Sequence, residues 1–251
     1  ILGAIELNGT AINRNVRAFE FGRWAYLYPD EAKGLLGNNV VQMPKSLEEK
    51  IAFRETHLAA YQGKRLVKKY RRLVDEFQDV RLQEAVAQGY HKLLTYKDEY
   101  EVARLLAQTR EKAEAEFEGE LKLTYHLAPP IISKIGPDGR PTKKAFGARM
   151  AWAFPKLAKL KWLRGTPFDP FGRTAERRME RALIKEYEAD MAEIQKILRP
   201  DTRDAAIALA VLPLDIRGFG PVKEANARKA AKRREELLAV LRTAPMQQAA
   251  E

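Results

Sequence analysis

Arg173, Arg177 and Arg181 recur every four residues in RGTPFDPFGRTAERRMERAL (164–183), with Arg178 beside them and Arg164 at the head of the segment. At that spacing the three guanidinium groups share one helix face. Such a row suits the paired oxygens of a phosphate, a carboxylate or an acidic partner surface. The stretch before the helix holds Pro167 and Pro170, Gly165 and Gly172, and Phe168 and Phe171. The prolines fix φ and the phenyl rings plug apolar gaps, so this is an ordered loop. A second candidate is IRGFGPVKEA (216–225), where Arg217 and Lys223 flank Gly218-x-Gly220. Two glycines before a helix can bring backbone N–H groups and a positive helix end toward an anion. The candidate binding residues are thus Arg164, Arg173, Arg177, Arg178, Arg181, Arg217 and Lys223. The competing reading is a solvated helix face, part-neutralised by Glu176 and Glu180, with a merely structural turn at the glycines.

Other chemistry is poorly represented. His57, His91 and His126 fall on separate predicted elements, without a His or carboxylate at metal-binding spacing. The absence of cysteine excludes disulfides, thiolate zinc sites, a cysteine nucleophile and iron–sulfur ligation from this chain. GPDGRP (136–141) lacks the Gly-Asp-Gly of a thiamine diphosphate motif because Pro137 interrupts it, and no Asn lies between Asp138 and Asn226. Neither a phosphate-binding P-loop nor a dinucleotide fingerprint follows a strand. In YHKLLTYKDEYEVARL (90–105), helical spacing predicts Lys97–Glu101 and Glu101–Arg104 ion pairs. Tyrosines interleaved with charges there read as a packed interface. No catalytic residue and no metal ligand is predicted.

The elements that must position these groups are mostly helices. The expected order is a helix over 4–28 ended by Pro29, a Gly/Asn-rich linker over 30–45, and a helical domain over 46–242, before a frayed tail at 243–251. Ser46 and Glu49 form a capping box opening a helix that breaks near Gly63. Further helices are expected at 80–95 and 97–116. Leu121, Leu123, Tyr125 and Leu127 then alternate in a strand pattern, and the Asp-Gly turn behind it predicts a small hairpin over 120–144. A helix over 143–163 should kink at Pro155; Thr174 should cap one to Leu198, Asp201 a short one to Leu212, and Pro221 should open the last. The predicted fold class is mainly α, with one small β-hairpin or extended element.

The formal net charge is +11, and twelve Lys/Arg against three acids between Arg140 and Arg181 supply most of it. Such a cluster serves phosphate-bearing or acidic partners, although charge runs are more commonly solvated faces. With 45% apolar residues the chain can bury a core. The longest apolar run, Ala205 to Leu214, is far short of the roughly 20 residues that span a bilayer. Cysteine-free composition suits the cytoplasm. The chain opens without Met and in mid-pattern (Ile5, Ile12, Val16, Phe19), as a piece of a longer protein would.

Five stretches carry a family resemblance: AIELNGTAINRNVRAFEFGR (4–23), YKDEYEVARL (96–105), FEGELKLTYHLAPP (117–130), LRGTPFDPFGRTAERRMERALIKEYE (163–188) and LPLDIRGFGPVKEAN (212–226). In this order they resemble the C-terminal region of fused indolepyruvate ferredoxin oxidoreductases. The first 29 residues are similar to the end of a γ-type oxidoreductase domain, and the rest to a helical C-terminal domain. Pro221 stands where the family pattern has His, and the stretch between Arg104 and Phe117 is shorter than the family's. The resemblance implies an accessory part of an enzyme that oxidatively decarboxylates an aryl-2-oxoacid to its acyl-CoA. It implies thiamine diphosphate, Mg and iron–sulfur clusters in the parent enzyme, none bound by this chain. It also implies ferredoxin and CoA as partners of the parent, contact with its catalytic domains, and a possible homodimer. The alternative is an independent basic helical module that binds nucleic acid or another polyanion. Against nucleic acid, the basic stretches lack interleaved aromatics and no helix-turn-helix is visible.

Overall fold

A computed structural model describes residues 1–36, 46–117, 119, 121–128, 136 and 142–243. The chain divides into two units, Ile1–Lys45 and Ser46–Glu251.

The first unit holds α1 (Leu2–Asn8), α2 (Ile12–Leu27) and α3 (Pro29–Leu36). The single helix expected over 4–28 is therefore two. Gly9 takes a left-handed φ of 67° and Ala11 one of 50°, and together they end the first and start the second. Pro29 does not open a linker. Its fixed φ and missing N–H suit the first position of a helix, and it begins α3. Of the predicted linker, 37–45 lies outside the described residues, as do 244–251 of the predicted tail. Among the described residues of this unit Ala32 is the buried apolar one, while Leu7 and Tyr26 are almost fully exposed.

The second unit begins with α4 (Leu47–Tyr61) and α5 (Lys64–Asp75). The Ser46 hydroxyl accepts from the Glu49 N–H and the Glu49 carboxylate accepts from the Ser46 N–H, so the capping box forms as expected. Gly63, at φ 105°, makes the break. Next come α6 (Val80–Leu94), α7 (Glu99–Ala107) and α8 (Thr109–Glu116). The helix expected over 97–116 thus starts later, at the Asp98 cap, and divides at Gln108.

The hairpin pairs β1 (Tyr125–Leu127) with β2 (Lys144–Phe146), antiparallel, with Tyr125 opposite Phe146. Tyr125 is buried and His126 exposed, the alternation that the sequence predicts. Most of the intervening turn, including the Asp-Gly pair, lies outside the described residues. A 3-10 turn (Ala148–Trp152), α9 (Ala153–Lys159) and a second 3-10 turn (Leu160–Leu163) replace the helix expected over 143–163. Pro155 does not kink α9. It sits in the first turn, where its missing N–H has no intrahelical acceptor to lose.

The last helices are α10 (Ala175–Ile197), α11 (Arg203–Val211) and α12 (Pro221–Thr243). The Thr174 hydroxyl accepts from the Arg177 N–H and starts α10 as predicted. Asp201 does not cap α11. It lies inside a 3-10 turn (Pro200–Thr202), and Thr202 holds the cap position.

The chain is mainly α with one small two-stranded sheet. Helix α6 runs through the main core, burying Leu82, Val86, Tyr90 and Leu94 among α4, α5, α10 and α11, and α12 closes the same core by packing on α10 and α11. A Cβ at Gly89 would lie 2.0 Å from the Ala210 carbonyl oxygen, so α6 and α11 cross too closely for any other residue. Tyr70, Tyr90 and Tyr187 stack in series at 6.1 and 5.7 Å between centroids. Each hydroxyl finds an acceptor: Ala87 O, a Glu188 carboxylate oxygen and Ala210 O respectively. A smaller cluster of Ala103, Tyr125 and Phe154 joins α7, β1 and α9.

Candidate anion-binding site

The loop from Arg164 to Arg173 is closed by its own side chains. The Asp169 carboxylate accepts from the Gly165 and Phe171 N–H groups and from the Tyr100 hydroxyl, at 3.0, 3.1 and 3.0 Å. Three predicted anion ligands hold backbone oxygens of this loop instead. Arg173 donates to Pro167 O, Arg178 to Arg173 O and Arg181 to Gly172 O. The arginine row is thus in large part a set of clamps on the loop that precedes it.

Arg164 is not on the surface at all. It is 5% exposed and gives two hydrogen bonds to Asp98, at 2.5 and 2.9 Å, and a third to Tyr61 O. Its guanidinium carbon lies 3.6 Å from the Tyr61 ring centroid. The same Asp98 carboxylate caps α7 by accepting from the Glu101 N–H. As an anion ligand Arg164 is excluded by this burial, because its donors already face a carboxylate and a carbonyl.

Arg177 leads toward a different place. It donates to Glu180 at 2.5 Å, stands 3.8 Å from a Glu99 oxygen and lies over the Tyr96 ring. Glu180, 3% exposed, also receives the Lys223 ammonium from the first turn of α12. This one carboxylate therefore ties α10 to α12 through Lys223, while Arg177 holds it from one turn back on α10 itself.

Above it lies a pocket of about 190 Å³. Lys92 and Lys97 line it from the end of α6 and the turn beyond, Glu176 and Glu180 from α10, and Arg217, Phe219 and Lys223 from the turn into α12. Leu93, Leu183, Pro213 and Ile216 supply its apolar wall. Gly218 and Gly220 have φ of 97° and 54°, and a Cβ at Gly218 would meet Val222 Cγ1 at 2.7 Å. That backbone presents Phe219 to solvent, with the Lys97 ammonium 4.8 Å from its ring centroid. Lys97 therefore does not make the predicted pair with Glu101, which Arg104 takes at 2.6 and 2.9 Å. Burial, then the nearby Lys223 and Arg217, pull the Lys92 ammonium below the usual lysine range.

Of the predicted residues the structure brings Arg217 and Lys223 into this pocket, with Arg177 beneath it. Arg173, Arg178 and Arg181 stay on the loop, and Arg164 is internal. Sequence reasoning missed Lys92. A lysine in the last turn of a helix reads as an ordinary partner of the helix dipole, and only packing places it opposite α12.

The histidines lie on separate elements as expected, but packing brings two of them together. His57 Nδ1 and His91 Nε2, on α4 and α6, are 3.0 Å apart, and His57 Nε2 is 3.6 Å from Glu101. Burial and the His57 neighbour lower His91 to about 4. Among the described residues no group of three His, Asp or Glu side chains can hold a metal ion. Among them, too, no helix is long and apolar enough to cross a membrane.

No curated protein and no solved structure matches the chain. Residues 47–236, which span α4 to most of α12 and so all of the pocket, match a family of unknown function (DUF6537). The chain belongs to that family.

Proposed function

We propose that the chain is the helical C-terminal accessory portion of an indolepyruvate-type ferredoxin oxidoreductase, which converts an aryl-2-oxoacid to its acyl-CoA. The supporting observation is spatial. Three of the stretches that carry the resemblance, 96–105, 163–188 and 212–226, are remote in sequence yet meet at one place. Asp98 pairs with Arg164, Tyr100 with Asp169, Lys97 with Phe219 and Glu180 with Lys223. The three stretches thus pack as one cluster, which is what a single supporting surface built from them needs.

The parent's thiamine diphosphate, Mg and iron–sulfur clusters do not fit residues of this chain. It has no cysteine for a cluster, and Pro137 breaks the Gly-Asp-Gly triplet. On this reading the chain braces catalytic domains and does no chemistry of its own. The exposed Arg173 and Arg178 are then the members of the row open to ferredoxin or an acidic domain face.

The test is to isolate the native protein and measure its intact mass, peptide coverage upstream of Ile1, and iron and thiamine diphosphate content. Aryl-2-oxoacid- and CoA-dependent ferredoxin reduction is then assayed on the same material. The expected result is continuity with cysteine-bearing domains and that activity. A protein encoded as these residues alone, or one without the activity, overturns the reading.

A further inference from the structure

We propose that the pocket between the end of α6 and the start of α12 binds a small organic phosphate, its phosphate on Lys92, Arg217 and Lys223 and its apolar part against Phe219 and Leu183. This rests on the pocket alone and is independent of the parent enzyme.

Charge is the first reason. Four cations line the pocket against two carboxylates, Glu176 and Glu180. Glu180 is already engaged by Lys223 and by Arg177 from below. Lys92 has no ion-pair partner among the described residues, and Arg217 spends only its Nε, on Leu214 O. Burial first, then repulsion from Lys223 and Arg217, destabilise the Lys92 ammonium, and the attraction of Glu180, already held by Lys223, does not outweigh them. A dianion placed among them removes that repulsion, with charge-assisted hydrogen bonds as the gain.

Position is the second. Lys223 lies in the first turn of α12, where backbone N–H groups lack intrahelical acceptors and Pro221 contributes none. The helix runs 23 residues, so its positive end reinforces the cations.

Shape and apolar lining are the third, and they separate an ester from free phosphate. Phe219 is 65% exposed, held out by the Gly218 and Gly220 backbone. A phenyl ring kept in water at the mouth of a cationic pocket costs hydration that a flat organic group stacked on it would recover. Leu183 and Ile216 continue that surface inward.

The test titrates the full chain at low ionic strength with phenyl phosphate, inorganic phosphate and phenol, by calorimetry. Phenyl phosphate is expected to bind saturably, inorganic phosphate more weakly and phenol not at all, with added salt weakening both anions. Lys92→Gln with Arg217→Gln should weaken phenyl phosphate by about tenfold or more, since each removes a charged hydrogen-bond donor. Lys112→Gln, on α8, should leave it unchanged. Phe219→Ala should weaken phenyl phosphate and spare inorganic phosphate. Lys92 makes no ion pair among the described residues, and unchanged urea midpoints will show that the variants fold. As a second readout, the carbon chemical shifts of the Lys92 side chain should show its titration moving up on phenyl phosphate addition. Absence of saturable binding, or equal affinity in the double variant, overturns the site. Inorganic phosphate binding as tightly as phenyl phosphate overturns its assignment to an organic ester.

Discussion

Arg164 and Asp98 form a bidentate ion pair with side chains only 3% and 2% exposed, 66 residues apart in sequence. The pair joins the Pro/Gly-rich loop to the start of α7, and Asp98 simultaneously caps that helix. Removing either partner leaves an uncompensated buried charge, which is far costlier than losing a surface ion pair.

Arg164→Met should therefore lower unfolding free energy by about 3–5 kcal/mol in urea titration. Arg164→Lys should fail to restore it. An ammonium can neither reach both Asp98 oxygens and Tyr61 O in one plane nor stack on the Tyr61 ring. A loss below about 1 kcal/mol would mean that the pair is solvated and the loop held by something else.

Gly89→Ala tests the crossing of α6 and α11. Alanine has the better helix propensity, so an exposed glycine would gain stability from the change. Here the new Cβ meets backbone at 2.0 Å and the Tyr187 hydroxyl at 2.9 Å, and backbone cannot give way as a flexible side chain can. The expected cost is at least about 2 kcal/mol, read as a lower melting temperature. An unchanged or raised melting temperature would show the helices free to separate.

These relationships explain what was legible in the sequence and what was not. Local signals were read well: the Ser46–Glu49 box, Thr174 as the cap of α10, and the alternation through Tyr125 each depend on neighbours within a few residues. The break after Gly9 was misjudged because a glycine within a helical pattern is tolerated about as readily as it ends one. Arg164 read as a surface cation because its partner is remote, and helical spacing reports only groups on the same helix. His57 and His91 met, and Lys92 found the turn into α12, for the same reason in reverse. Arg217 and Lys223 fall together in the pocket because both flank the turn before α12, which the glycines between them mark in the sequence.

Stability should depend on pH through His91. Its folded value of about 4 lies below the ordinary 6.5, because burial comes first and the nearby His57, Arg54 and Lys92 add to it. Above 6.5 both folded and unfolded chains hold it neutral and it contributes nothing. As pH falls below 6.5 the unfolded chain gains a proton that the folded chain refuses, so stability declines, and the loss levels off below about 4. The decline attributable to His91 should reach as much as about 3 kcal/mol. Urea midpoints for the wild type and His91→Gln, compared at about pH 7 and about pH 4.5, isolate it from the carboxylates that titrate in both. Parallel declines in the two proteins would remove His91 as the cause.

The order of the loop between Arg164 and Arg173 can be tested through its clamps. Arg181 donates to Gly172 O at 2.6 Å and Arg173 to Pro167 O at 3.1 Å, while Asp169 holds the other side from within. Arg181→Met keeps the stem of the side chain but releases the carbonyl at the end of the loop. Proteolysis tracks local opening, so 164–173 should become cleavable at Phe168 or Phe171 under chymotrypsin concentrations that leave the wild type intact. Global unfolding in urea should shift by about 1 kcal/mol or less, since one hydrogen bond to a carbonyl is lost and no charge is stranded. Arg178→Met, which frees Arg173 O at the base of α10, should have the smaller effect on cleavage because that bond lies beyond the turn Asp169 already closes. If the loop resists cleavage in both variants, its order comes from Asp169 and the prolines alone. The arginine row would then be released from its clamping role and return to consideration as a surface for an acidic partner.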